Sequence, residues 1–179
     1  MGQLQAAQSL GPAELEDIIA STLEETRKRG VDQAEVAVSH DVGLAATVRL
    51  GDVESLEYTN DRGIGITVYC GSRKGSASTS DISGDAIREA VGKACTFASY
   101  TAEDKYAGLA DADRMCADVP DLDLDHPWKL DATAAIELAT TCEASALGYD
   151  KCISNSEGAT VWTNRGVRAY GNTHGFVGS

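Results

Sequence analysis

The sequence predicts an α+β fold: an antiparallel meander sheet covered by two helices, followed by the start of a second α+β unit. Three observations carry this reading. Two segments with apolar residues at helical spacing bracket the chain up to Tyr100. Between them lie runs in which apolar and polar residues alternate, separated by Gly, Asp and Asn turns. After an irregular acidic stretch, a helix pattern and strand patterns begin again.

The first helix starts at Pro12, a residue suited to a first helical turn. Leu15, Ile18, Ile19, Thr22, Leu23 and Thr26 trace one face. Glu14, Glu16 and Asp17 lie at the positive end of the dipole, and Arg27, Lys28 and Arg29 at the negative end. Gly30 is placed to close the helix. Next, Ala34, Val36 and Val38 alternate with Glu35, Ala37 and Ser39, and Asp41-Val42-Gly43 is expected to turn the chain. Leu44, Ala46, Val48 and Leu50 alternate again. Gly51-Asp52 is a hairpin signal, Glu54 to Thr59 reads as a strand, and Asn60-Asp61-Arg62-Gly63 as another turn.

The stretch from Gly63 to Ser83, GIGITVYCGSRKGSASTSDIS, supplies two more strands. Ile64, Ile66 and Val68 share one strand face, with Thr67 and Tyr69 on the other. Gly71 to Gly75 is expected to be the reversal. Ser76, Ala77, Ser78, Thr79 and Ser80 follow with almost no side-chain bulk, so the strand buries little apolar area. Such a strand is kept because it packs close to another backbone or because something binds it. Short turns between neighbours give roughly five antiparallel strands by this point. Ser83 caps the second helix, whose stripe is Ile87, Val91, Ala94, Cys95 and Ala98.

From Tyr100 to Pro127 the periodicity fails, and Pro120 and Pro127 punctuate DVPDLDLDHPW. The expected organisation is an N-terminal domain over 1–107, an acidic linker over 108–128, and the start of an incomplete central domain over 129–179. In that last part a helix is expected from Leu130 to Leu147, with Ala134, Ala135, Leu138, Cys142 and Ala146 inward and Gly148 ending it. Strands are expected at Lys151 to Ser156, Ala159 to Asn164 and Val167 to Asn172, with Arg165-Gly166 as a turn. One helix and three short strands are near the minimum for an independent sheet, so the chain is expected to be a fragment of a longer protein.

Bulk properties narrow the function. The 179 residues are 42% hydrophobic, enough for a core, but only 6% aromatic. With 28 acidic against 15 basic residues the net charge is -13, which disfavours a nucleic-acid surface and fits a cytoplasmic protein. Cys70, Cys95, Cys116, Cys142 and Cys152 are odd in number and lack C-x-x-C spacing. They are expected to be reduced and mostly buried. There is no signal-peptide pattern, and no run approaches the ~20 apolar residues of a membrane span.

No catalytic set emerges. His40, His126 and His174 stand alone, outside any H-E-x-x-H frame, and read as ordinary loop or surface histidines. Asp121, Asp123 and Asp125 alternate as in a calcium loop, but the glycine and terminal glutamate of such a loop are absent; a solvated acidic linker accounts for them. Gly63, Gly65 and Gly71 lead into strands, not a helix, so neither a dinucleotide fingerprint nor a P-loop is formed. No catalytic residue and no metal ligand is assigned. Ser76, Ser78 and Ser80 are the candidate substrate-binding residues, through their hydroxyls or the strand backbone. An exposed or edge strand is the competing account.

The stretches GDVESLEYTNDRGIGITVYCGSRKGSASTSDIS, AIREAVGKACTFASYTAEDKYAGLAD, PDLDLDHPW and ISNSEGATVWTNRGVRAYGNTHGF, in this order and spacing, resemble the N-terminal half of the PmbA/TldD metallopeptidase family. RKGSASTSDIS and PDLDLDHPW are more similar to its PmbA (TldE) branch than to TldD. The resemblance covers residues 12 to 179. It implies a cytoplasmic heterodimer that degrades unfolded or short peptides, matures a microcin precursor and removes an antitoxin. It also implies a TldD-like partner that carries the zinc and the H-E-x-x-x-H helix, with no cofactor in this chain. A homodimer in isolation is a further expectation, with no nucleic-acid or membrane partner. The other function the resemblance allows is a non-proteolytic regulatory module acting on DNA gyrase or a gyrase-directed toxin.

Overall fold

The computed structural model describes residues 10–116 and 119–179. Among the described residues three α-helices, α1 (Pro12–Lys28), α2 (Gly84–Tyr100) and α3 (Ala132–Leu147), accompany five strands. The strands are β1 (Gln33–Arg49), β2 (Asp52–Cys70), β3 (Arg73–Thr79), β4 (Ala159–Asn172) and β5 (Val177–Gly178). They form one sheet in the order β3-β2-β1-β4-β5. Strands β1 to β3 are the expected meander; β4 adds on the other side of β1, and β5 folds back on it. The α+β class and the antiparallel sheet are as the sequence indicates. Only three of the five strands precede Tyr100, however; the count is completed from the C-terminal part.

The structure is divided into two compact units. Among the described residues, the first comprises those of 10–40, 61–116, 119–122 and 166–179; the second comprises Asp41–Asn60 and Asp123–Arg165. β1, β2 and β4 each contribute residues to both.

In the first unit, α1 and α2 cover one face of the sheet. Leu15, Ile19 and Leu23 of α1 and Ile87, Val91 and Ala94 of α2 pack with Val36, Val38, Ile64, Ile66 and Val68. Each such large aliphatic side chain contributes about 1.5–3 kcal/mol on burial. Both helix starts follow the sequence. Pro12 opens α1, and the Ser83 hydroxyl accepts from the Ala86 amide at 3.4 Å. Gly30, at φ 71°, follows α1 in the left-handed conformation. The small residues of β3 have a packing reason on this face. A Cβ on Gly75 would stand 2.1 Å from the Ala94 carbonyl oxygen and 2.4 Å from the Ala98 nitrogen, so β3 lies directly on the α2 backbone.

In the second unit, Leu44 and Ala46 of β1 pack with Ala135 of α3, joined by the half-buried Leu130, Ile136 and Val161. The β1–β2 reversal is the two-residue Leu50-Gly51 turn, with φ 51° and 82°. Positive φ at both positions matches the twist of the flanking strands.

Several expected boundaries are corrected. Asp41-Val42-Gly43 does not turn: β1 runs through it. Gly43 permits close approach instead, since its Cβ would meet the Thr163 carbonyl oxygen at 2.8 Å. Asn60 to Gly63 and Arg165-Gly166 likewise lie inside β2 and β4. Their polar residues occupy exposed strand positions, where polarity imitates a turn. The reversal after β2 is Gly71-Ser72 alone, and Arg73, Lys74 and Gly75 already belong to β3. Lys151 to Ser156 is not a strand. Asp150 there accepts from the Cys152 amide at 2.8 Å and holds a turn. The inward face of α3 is Ala135, Ala139 and Glu143, not the stripe through Leu138, Cys142 and Ala146. A buried glutamate replaces the expected apolar residue because its carboxylate takes two backbone amides, described below. The cysteines are not mostly buried: Cys116, Cys142 and Cys152 are exposed, and Cys70 and Cys95 are half-buried.

Candidate functional site

Strand alternation gives the sheet of the first unit a second face, which α1 and α2 do not cover. Glu35, Ala37 and Ser39 of β1, Gly63, Gly65 and Thr67 of β2, and Ser76 and Ser78 of β3 alternate with the buried core positions. Thr67 pairs with Ser76 and Gly65 with Ser78. Gly63 lies beside Ser39, whose hydroxyl would be 3.7 Å from a Cβ there. The result is a low floor bounded by Tyr170 of β4 and by Phe176, whose rings lie 6.1 Å apart. A groove of about 1040 Å3 runs over it, lined also by Arg168, Val119 and Gly178. A smaller recess of about 460 Å3 reaches Glu35, Thr67 and Ser76 and shares Ala37, Gly65, Ser78 and Tyr170 with the groove. Pockets of such dimensions with convergent polar groups are where small ligands and peptide segments bind.

The polar centre of this face is Glu35. Its Oε1 accepts from the Tyr69 hydroxyl at 2.9 Å and its Oε2 from the Tyr170 hydroxyl at 2.9 Å. Burial pushes the Tyr69 phenol up to about 12, and the bond to Glu35 adds to this. Tyr170 is raised as well, first by burial and then by Glu35, against an opposing hydrogen bond with Asn172. Both phenols therefore stay protonated and act as donors to one carboxylate. The Lys74 ammonium lies over the Tyr69 ring, 6.0 Å from its centroid.

The candidate serines all reach this face. Ser76 Oγ is 3.0 Å from Thr67 Oγ1; Ser76 and Ser78 line the recess, and Ser78 and Ser80 line the groove. Glu35, Tyr69, Tyr170 and Phe176 were not singled out from the sequence. Tyr170 and Glu35 are 135 residues apart, and only strand order joins them.

The remaining sequence candidates are dispersed in role. His40 is corrected from a loop residue to a buried one within β1, where its Nδ1 accepts from the Leu10 amide at 2.8 Å. The exposed His126 ring nitrogen lies 2.7 Å from the Asp123 carbonyl oxygen. His174 is exposed and its amide donates to Asn172 Oδ1 at 3.0 Å. Asp125 makes a two-pronged pair with Arg165 at 2.9 and 2.6 Å, which holds its carboxyl below the usual range. Among the described residues no group of three or more His, Cys, Asp or Glu side chains is placed to hold a metal ion. No helix among them is long and apolar enough to cross a membrane.

Comparison with known proteins gives concordant results. Residues 34–98 match the family model described as PmbA/TldA metallopeptidase domain 1, and residues 125–179 match that of the PmbA/TldA metallopeptidase central domain. The chain is 45% identical over 166 residues to a Metalloprotease PmbA homolog of Haemophilus influenzae, covering 93% of this chain and 37% of the relative. It is 44% identical over 163 residues to Metalloprotease PmbA of Escherichia coli O157:H7, covering 91% and 36%. The chain thus spans little more than a third of the length of these relatives. Among solved structures, a putative modulator of DNA gyrase from Bacteroides thetaiotaomicron aligns with a TM-score of 0.74 at 22% identity, over 91% of this chain and 37% of that one. TldE from Thermococcus kodakarensis aligns with a TM-score of 0.70 at 16% identity, over 89% and 36%. These two show the shared fold. The two family models together match well over half of the residues, and the chain belongs to the PmbA/TldD metallopeptidase family.

Proposed function

We propose that this chain is the N-terminal portion of a PmbA/TldE-type subunit. It pairs with a metal-bearing TldD-like subunit in the cytoplasm and helps that subunit engage unfolded or short peptides. The observation that carries the reading is the groove on the uncovered sheet face, in a chain whose family is named for peptide hydrolysis. Its floor of Ala37, Gly65 and Ser78 lets an extended chain approach the sheet, and the hydroxyls of Ser76, Ser78 and Ser80 offer hydrogen bonds along its edge.

The family description implies a metal. The described residues do not fit one, since they bring together no set of three ligating side chains. No hydrolytic step is therefore assigned to this chain, and its part is binding and assembly. The zinc belongs to the partner in this proposal, as do the peptide-bond chemistry and the biological substrates, a microcin precursor and an antitoxin.

The test is a peptidase assay. The full-length protein is mixed with its TldD-like partner, zinc and an unfolded peptide. Cleavage by the pair and not by this protein alone is expected. No cleavage by the metal-supplemented pair sinks the proposal. A second reading takes its support from the fold shared with a protein titled a putative modulator of DNA gyrase: a non-proteolytic module that contacts gyrase or a gyrase-directed toxin. Stable gyrase binding by this chain, together with no cleavage by the pair, would favour it.

A further inference from the structure

Glu35 is a half-buried carboxylate that lines the recess and, among the described residues, makes no ion pair. Burying a charge without a counter-charge is costly, and proteins ordinarily offset it with a cation or a metal. Here the two phenols only position it. Each oxygen accepts one O–H bond and keeps acceptor capacity for another donor. Lys74, in the adjoining row of the sheet, lies over the Tyr69 ring. The recess therefore has a fixed carboxylate without a direct ion-pair partner among the described residues, beside the Tyr170 ring.

Relief along the groove distinguishes its two directions. From Glu35 the floor passes over Ala37, Gly65 and Ser78 toward Ser39 and Gly63, all serine or smaller, while Arg62, Thr79 and Arg168 also line the groove in this direction. In the other direction stand Tyr69 and its cross-strand partner Lys74. A chain lying on the floor meets bulk as soon as it passes Glu35. The path from Glu35 to Ser39 is four strand residues, roughly 13 Å at about 3.3 Å per residue, the length of about four extended peptide residues.

We propose that the groove seats the free N-terminus of an extended peptide, with its α-ammonium on the Glu35 carboxylate and about four residues laid toward Ser39 and Gly63. An ammonium there would supply the counter-charge that Glu35 lacks and face the Tyr170 ring. The inference rests on the reading of this face as a peptide-binding groove and adds the feature that it recognises, a free chain end.

The test is calorimetric titration of this chain with three probes: tetra-alanine amide with a free amine, the same peptide N-acetylated, and an N-acetylated tetrapeptide amide with one internal lysine. The free-amine peptide is expected to bind at least roughly tenfold more tightly than the acetylated one, the effect of one charge-assisted contact. Glu35→Gln should remove that preference, and Tyr170→Phe should weaken it. Circular dichroism of both variants checks their folding, and the comparison of probes on the unaltered chain stands if a variant does not fold. Equal affinity for the free and acetylated peptides, binding of neither, or full recovery by the internal lysine each overturns the proposal. Terminus-dependent binding together with an inactive subunit pair would leave this site standing and remove the assembly proposed above.

Discussion

Tyr170 donates to Glu35 at 2.9 Å across 135 residues of chain, and Tyr69 donates to the other oxygen of the same carboxylate. The two bonds tie β4 and β2 to β1 on the face that the helices leave uncovered. They fix the one charged group in a recess otherwise lined by Gly, Ala, Ser and Thr residues, Ile66 and the Tyr170 ring.

Tyr69 should titrate late. Its phenol is held up to about 12, first by burial and then by Glu35. A raised value means that the folded state favours the neutral phenol. The stability this contributes is complete below the ordinary tyrosine value of ~10 and is lost as the pH climbs from there through about 12. An ultraviolet absorbance titration of the folded protein should show Tyr69 ionising well after the exposed tyrosines, with Tyr170 also shifted upward. Glu35→Gln should move it only part of the way down, because burial is the larger cause. A full return to the ordinary value would show that the carboxylate dominates.

Gly75→Ala should be among the most damaging single substitutions. The added methyl would meet two backbone atoms of α2, at 2.1 and 2.4 Å, and neither can rotate away. A cost of about 3 kcal/mol is expected, toward the upper end for overpacking. In a chain of this size that lowers Tm by roughly 6–12 °C. Gly65→Ala, where no atom lies within 4 Å of the new methyl, should leave Tm nearly unchanged. Similar losses for the two would contradict the packing of β3 on α2.

Glu143 anchors the β1–β2 turn. Its Oε1 accepts from the Leu50 amide at 2.8 Å and its Oε2 from the Gly51 amide at 3.0 Å. These bonds, Gly51 first, hold its carboxyl below the usual range. A depressed folded value means that the contribution is complete above the unfolded glutamate value of ~4.3 and is lost as the pH falls through the folded one. Thermal melts between neutral and acidic pH should therefore show a steeper acid loss for the unaltered chain than for Glu143→Gln. The variant should also melt lower at neutral pH. Parallel pH profiles would contradict the anchoring role.

The helices, their caps and the β2–β3 hairpin were legible because each is written locally. Pro12 and Ser83 open helices, and Ile64, Ile66 and Val68 alternate without interruption. The long strands were not, because Asp41 to Gly43, Asn60 to Gly63 and Arg165-Gly166 carry turn composition while serving as exposed or closely packed strand positions. The face of α3 was misread for a related reason. Glu143 is buried by amides more than 90 residues away in the chain, which no periodicity reveals. Of the candidate site, the serines on β3 could be named from the sequence. Glu35, Tyr69 and Tyr170 could not, since their meeting depends on β1 lying between β2 and β4.

If the uncovered face of the first unit receives peptide, filling it should block cleavage. Gly65 has open space above it, so Gly65→Trp places a large side chain in the groove with no backbone in its way. Peptidase activity on an unfolded peptide should be measured for the full-length variant mixed with its TldD-like partner, alongside Tm. An unchanged Tm and cleavage reduced at least tenfold, corresponding to about 1.4 kcal/mol, are expected. Cleavage at the unaltered rate by a folded variant would contradict peptide binding on this face.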